Sequence, residues 1–227
     1  MSGIYKEIDV TLSTPLPPQN VMLKVTTNKV KFIEVLITYI LDNVPSSYEK
    51  KLIITGRDPI PRQVTKGVVS NREDLVTKHE EADVNIPRQL MHAISEGSTS
   101  ALILCDDFDV LALLLHHLFP FERNVSVLMD TPKSQDRAVI DVMKTGRTHV
   151  DIVPNLLAMH CLSGCDTVPQ LFGIGKKTAL KVVKRHPLPK LGDCKATISE
   201  VMSEAKLCIA PFYGVNDFST TTFEKMR

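Results

Sequence analysis

Residues 101–105, ALILC, form a continuous apolar run that is closed at once by the acids of DDFD and followed by the apolar stretch VLALLLHHL. An unbroken apolar run of this length suits a strand buried on both faces of a parallel sheet. Residues 109–118 then read as a short helix, and residues 124–129, NVSVLM, as the next strand. Strand, helix and strand within about thirty residues is the length of a right-handed βαβ crossover. That unit commits the middle of the chain to an α/β fold, and the flanking segments have to fit around it.

Upstream, Pro15, Pro17 and Pro18 break any regular element, so residues 1–27 are expected to be an irregular arm. Apolar residues recur at helical spacing over 28–43, including Phe32, Val35, Leu36 and Tyr39. Residues 51–55, KLIIT, suit a short strand ending at Gly56, and the next twenty, with Pro59, Pro61 and Gly67, suit a loop. A helix over 79–96 would stop at Gly97 as its C-terminal cap. Downstream, a polar, basic connection over 133–147 leads to helices over 152–162, 178–185 and 197–207. The expected organisation is an α/β core over 28–165 followed by a helical region over 166–227.

A chain of 227 residues accommodates one full domain, or one domain with a small appendage. With 43% apolar and 23% charged residues it has the composition of an ordinary globular protein, with an aliphatic core because Trp is absent. The first thirty residues hold no signal-peptide pattern, and the longest apolar run is too short to span a bilayer. An intracellular protein without a membrane partner is expected. Five cysteines, an odd number in apolar contexts, suggest free thiols; His160, Cys161 and Cys165 make a partial zinc set that no second ligand pair completes.

The net charge of +1 points to no partner, but its distribution does. Residues 79–110 hold seven acids against Arg88, and residues 171–195 hold seven bases against Asp193. Separate acidic and basic stretches are what a metal-dependent enzyme acting on a polyanion requires.

Asp106, Asp107 and Asp109 follow the carboxyl end of the expected strand, where open parallel sheets bind ligands. One Asp would serve as a helix N-cap; three within four residues exceed that need. In KHEEADV, Glu80 and Asp83 are three apart and share a helix face, although a solvated acidic first turn explains them too. Acids converging in a partly dry crevice repel unless a cation lies between them, and oxygen donors without His suit Mg²⁺ or Mn²⁺.

In LFGIGKKTAL, two glycines precede a helix start and two lysines. Glycines permit close backbone approach, and helix-start amides attract anions. The segment is not a P-loop, since Gln170 lies where its first glycine would be. A plain turn between two helices is the simpler alternative.

Together, SGCD leading into GIGKKTALKVVKRH, EEAD and DDFDV resemble, in order and rough spacing across about residues 78–190, the flap endonucleases of the PIN-like nuclease superfamily. The resemblance implies a PIN-like three-layer α/β/α core with a mostly parallel sheet, followed by a helix-hairpin-helix region. It implies Mg²⁺ or Mn²⁺ on Glu81, Asp83, Asp107, Asp109 and Asp166, with Asp107 and Asp109 catalytic and Asp106 behind them. It implies that Gly173, Gly175, Lys176, Lys177 and Lys181 hold a nucleic-acid backbone, DNA ahead of RNA, and a nuclear rather than cytoplasmic setting. That family begins with a strand bearing an Asp; here Asp9 falls in the arm and Asp42 at a helix end, so the core is expected to be incomplete at its N-terminus. Pro87, four residues after Asp83, is expected to kink the helix that carries it.

The leading expectation is therefore a metal-dependent phosphodiesterase. The alternatives are a nuclease remnant that still binds nucleic acid, and a protein-interaction scaffold with an incidental acidic cluster.

Overall fold

The computed structural model describes residues 6–79, 81–119, 124–132, 137–166 and 168–215. They form two compact units that part between Glu81 and Ala82.

The first unit contains α1 (Gln19–Met22), α2 (Thr26–Asn43) and the strands β1 (Leu52–Ile54), β2 (Arg62–Thr65) and β3 (Val68–Asn71). The strands make an antiparallel meander, β1-β2-β3. Ile37 and Leu41 on α2 and Val64 on β2 are its buried centre, with Ile33, Val44, Leu52 and Ile54 packed round them. The N-terminal arm, expected to be irregular, contains the one-turn helix α1 directly after Pro18 and is tied to α2: buried Asn28 accepts from the Ile8 amide at 2.7 Å and donates to the Lys6 carbonyl at 3.0 Å. The twenty residues expected as a loop contain a hairpin instead. Lys66 (φ 53°) and Gly67 (φ 77°) both adopt positive φ, the two-residue turn whose twist matches paired strands, and Val64 pairs with Val69 across it. Because β3 is exposed throughout, it carries no apolar alternation that would reveal it.

The second unit runs α3 (Ala82–Ser95), β4 (Ser100–Leu104), α4 (Phe108–Leu118), β5 (Ser126–Asp130), β6 (Val139–Asp141), α5 (Val142–Thr148), α6 (Leu156–Leu162), α7 (Lys176–Val183) and α8 (Ile198–Phe212). β4 and β5 pair in parallel on either side of α4, which is the expected βαβ crossover. β6 joins β5 antiparallel, so the three-stranded sheet is mixed. Its direction follows from length: residues 131–138 are too few for a crossover, which needs about a dozen, and Thr131 and Ala138 bond each other across the return. β6 and α5 occupy the segment expected to be an irregular connection; Asp141 caps α5 through the Lys144 amide at 2.8 Å, and Val142 and Met143 enter the core.

α4 is the hub of this unit. Val110, Ala112 and Leu114 are fully buried, and the helix packs against α3, α5 and α6. Ile174, Ala179, Val183, Leu188, Cys208 and Phe212 share this core with Val127 and Met129 of the sheet, so residues 166–215 are continuous with it. α3 continues through Pro87, which offers no amide to the Asp83 carbonyl one turn back. α8 starts with a capping box between Thr197 and Glu200, whose carboxyl is held below the usual range chiefly by the Thr197 amide.

β4 departs from the expectation of burial on both faces. Its residues alternate, with Ala101 and Ile103 turned to the core and Leu102 and Leu104 58% and 66% exposed. Leu114→Ala is therefore expected to cost about 2–5 kcal/mol, and Leu102→Ala under about 1 kcal/mol, in urea unfolding. Equal costs would mean that the Leu102 face is covered in the folded chain.

Candidate functional site

The carboxyl end of β4 opens on a cleft of about 550 Å³ lined by Leu104, Cys105, Asp106, Asp107, Phe108 and Pro132. Asp107 is the N-cap of α4 and accepts from the Asp109 amide at 2.8 Å, so one of its carboxylate oxygens is used locally. The cap turns the Asp109 side chain in the first turn of α4 toward His160 on α6, 51 residues away in sequence. Asp109 Oδ1 and His160 Nε2 lie 2.7 Å apart.

His160 is only 6% exposed, and the Phe108 ring packs against it with centroids 5.4 Å apart. Its other nitrogen, Nδ1, lies 2.9 Å from Lys176 Nζ at the start of α7. The ammonium also donates to the His160 carbonyl at 3.0 Å and to the Gly164 carbonyl. An ammonium has only donors, so Nδ1 accepts, and Nε2 carries the ring proton and donates it in a hydrogen bond to the Asp109 carboxylate. Asp109, His160 and Lys176 thus form one directional chain, anionic at one end and cationic at the other. Burial holds the Lys176 amine below its usual range, while Cys165, Asp109 and Cys161 oppose that shift.

The SGCD turn supplies the rest. Gly164 has φ +91°, and a Cβ there would lie 2.6 Å from the Gln170 Cα, so only glycine fits. Cys165 and Val168 exchange backbone hydrogen bonds, leaving Asp166 exposed on the turn between them. Gln170 Nε2 donates to the Ile174 carbonyl at 2.8 Å, and buried Ile174 anchors the glycine turn between Gly173 and Gly175. Gly175 is the N-cap of α7.

The expected site residues therefore have different placements. Asp109 and Lys176 meet through His160, and Asp107 lies beside them as the cap of α4. Asp83 is in the first turn of α3, and Glu81 is the last residue of the other unit. Glu80 lies outside the described residues. Lys177 and Lys181 are exposed on α7, with Phe172 93% exposed ahead of them, whereas Lys176 is engaged inside the fold. Among the described residues, the three ligating side chains whose donor atoms come within 4.8 Å of one another are Asp109, His160 and Cys165.

Two residues outside the expected set belong here. His160 had appeared only as part of a zinc fragment; its partner Asp109 is too distant in sequence for spacing to reveal. Asp130 ends β5 as Asp106 follows β4, and the apolar run VLMD was the signal. It is 4% exposed, and the Arg137 guanidinium, at 2.5 and 3.0 Å, holds its carboxyl below the usual range.

Compared with models of known protein families, with curated proteins and with solved structures, the chain shows no match. No helix among the described residues is long and apolar enough to cross a membrane.

Lys176→Ala removes the donor to two carbonyls and one ring nitrogen. It is expected to lower stability by about 1–3 kcal/mol, against no more than about 0.5 kcal/mol for exposed Lys177→Ala. Chemical denaturation of the two variants checks this, and matching midpoints would mean that Lys176 is not seated in the fold.

Proposed function

We propose that residues 82–227 form a metal-dependent phosphodiesterase domain of the flap-endonuclease-like type, built on a PIN-like core and acting on nucleic acid. One observation carries the reading. The acidic segment at the carboxyl end of a parallel strand, beside an open cleft, is joined through His160 to the lysine of the glycine turn. Two segments that resemble nuclease motifs separately are thus neighbours in space.

Mg²⁺ and Mn²⁺ take oxygen donors, and Mg²⁺ usually keeps several waters and binds through one or two carboxylates. Asp107, the N-cap of α4, and Asp109, in its first turn, would together hold one hydrated ion, each through a carboxylate oxygen beyond the bonds already described. When bound, such an ion supplies an acidified water and positive charge for the leaving oxygen. His160 fixes the angle of the Asp109 carboxylate, and Lys176 fixes the tautomer of His160. Exposed Lys177 and Lys181 supply phosphate contacts that position a strand without reading its sequence, and Gly173 and Gly175 leave room for its backbone.

A specific observation favours a second reading, a domain that holds nucleic acid without cleaving it. No set of three carboxylates among the described residues comes within reach of one ion, and Asp109 already has a buried partner.

The test is cleavage of a labelled 5′-flap duplex and a single strand with Mn²⁺, by wild type and Asp109→Ala, alongside binding over a salt series. Metal-dependent cutting that Asp109→Ala abolishes is the expected result. Salt-sensitive binding without cutting, with a log–log slope reduced by about one in Lys181→Ala, replaces it with the second reading. Neither cutting nor salt-sensitive binding rejects both.

A further inference from the structure

We propose that Asp109, His160, Cys161 and Cys165 form a four-ligand site for Zn²⁺, distinct in donor chemistry from any Mg²⁺ or Mn²⁺ site on Asp107 and Asp109. The proposal does not rest on the nuclease reading.

Single donor atoms of Asp109, His160 and Cys165 already lie within 4.8 Å of one another. The Cys161 thiol, exposed on α6 and next to His160 in sequence, lies near enough to Cys165 for the two thiols to interact electrostatically, and it is the donor inferred for the fourth position. Tetrahedral zinc with Zn–S near 2.3 Å and Zn–N near 2.0 Å holds its ligand atoms about 3.5 Å apart. Closing those three thus needs side-chain adjustments on the order of 1 Å, and the Cys161 thiol, which lies outside that group, has to turn further to join them. One carboxylate oxygen, one imidazole nitrogen and two sulfurs are a borderline-soft set, suited to zinc and ill suited to magnesium, calcium or manganese.

The elements that carry these donors are restrained before any ion arrives. Asp109 is set by the cap of α4, His160 is buried, and Cys165 is held by paired backbone bonds to Val168 behind the glycine-only position at 164. The set lacks one usual feature of zinc sites, a carbonyl accepting from the second imidazole nitrogen; Lys176 stands there instead.

The proton balance accommodates that lysine. Zinc takes His160 Nε2, whose proton is lost to solvent while Nδ1 takes one up, so the imidazole remains neutral. Each thiol releases one proton to solvent on becoming a thiolate. The Lys176 ammonium, no longer able to donate to Nδ1, keeps the two carbonyls it already meets, at His160 and Gly164, while the Nδ1–H loses its partner, a cost that the metal bonds have to exceed. Zn²⁺ with one carboxylate and two thiolates carries a charge of −1, which the ammonium neutralises. Lysine thus serves as counter-charge to the loaded site and as filler of the empty one.

The experiment is a Co²⁺ titration of the reduced full chain, followed by displacement with Zn²⁺ and a metal-to-protein ratio after dialysis. The expected result is one ion per chain, with a thiolate-to-cobalt charge-transfer band and tetrahedral visible bands that zinc abolishes. Cys165→Ser and Cys161→Ser should each weaken binding by about 100-fold or more, since even outer-shell partners cost 10–100-fold. Cys194→Ser, which alters an exposed thiol elsewhere, should bind as wild type does. A wild type without the charge-transfer band overturns the proposal whether or not the variants fold. So does full-strength binding by a folded Cys165→Ser. A chain that binds zinc but never cleaves nucleic acid keeps this site and loses the phosphodiesterase reading; cleavage without the cobalt band does the reverse.

Discussion

His160 is a buried imidazole with both ring nitrogens engaged, and the second unit is organised around it. A buried neutral ring costs free energy unless both nitrogens find partners. Here one partner comes from the first turn of α4 and the other from the first turn of α7. The Lys176 ammonium adds bonds to two carbonyls, one of them in the SGCD turn. Four segments spread over residues 107–176 are therefore tied by one polar chain whose ends carry opposite charges. The aliphatic core supplies most of the free energy of folding; the polar chain specifies how α4, α6 and α7 are placed within it.

That arrangement changes what the charged residues mean. An acidic segment and a basic segment read separately as a metal site and a phosphate clamp. In the fold, Asp109 and Lys176 answer each other through an imidazole, while Asp106, Asp166, Lys177 and Lys181 remain exposed. Asp109 is the residue over which the two proposals compete: its carboxylate would serve a hard ion with Asp107 in one, and a softer one with His160 and two thiols in the other. A domain able to do both would exchange one for the other through a single side chain.

The legible parts of the fold are those where apolar residues set the pattern. The β4–α4–β5 crossover was readable because ALILC and VLALLLHHL are apolar at the right lengths, and α2 because its spacing is helical. The β2–β3 hairpin was not, since β3 is exposed and Lys66 occupies a turn position that glycine or asparagine usually marks. β6 and α5 were hidden because a three-residue strand is specified by its pairing with β5 and not by its own composition. Asp107 and Asp109 could be placed at the end of a strand, but His160 could not be matched to Asp109: a contact across 51 residues has no local signature. The burial of Lys176 was equally invisible, because Lys176 and exposed Lys177 are adjacent and identical in type.

The most direct measurement of this arrangement is the nitrogen-15 spectrum of the His160 ring in the metal-free chain, assigned by comparison with His160→Gln. A proton fixed on Nε2, with Nδ1 bare and accepting, is the result the Asp109–His160–Lys176 chain requires. A proton on Nδ1, or signals averaged between the two tautomers, would mean that Lys176 does not hold the ring and that the chain does not organise the site.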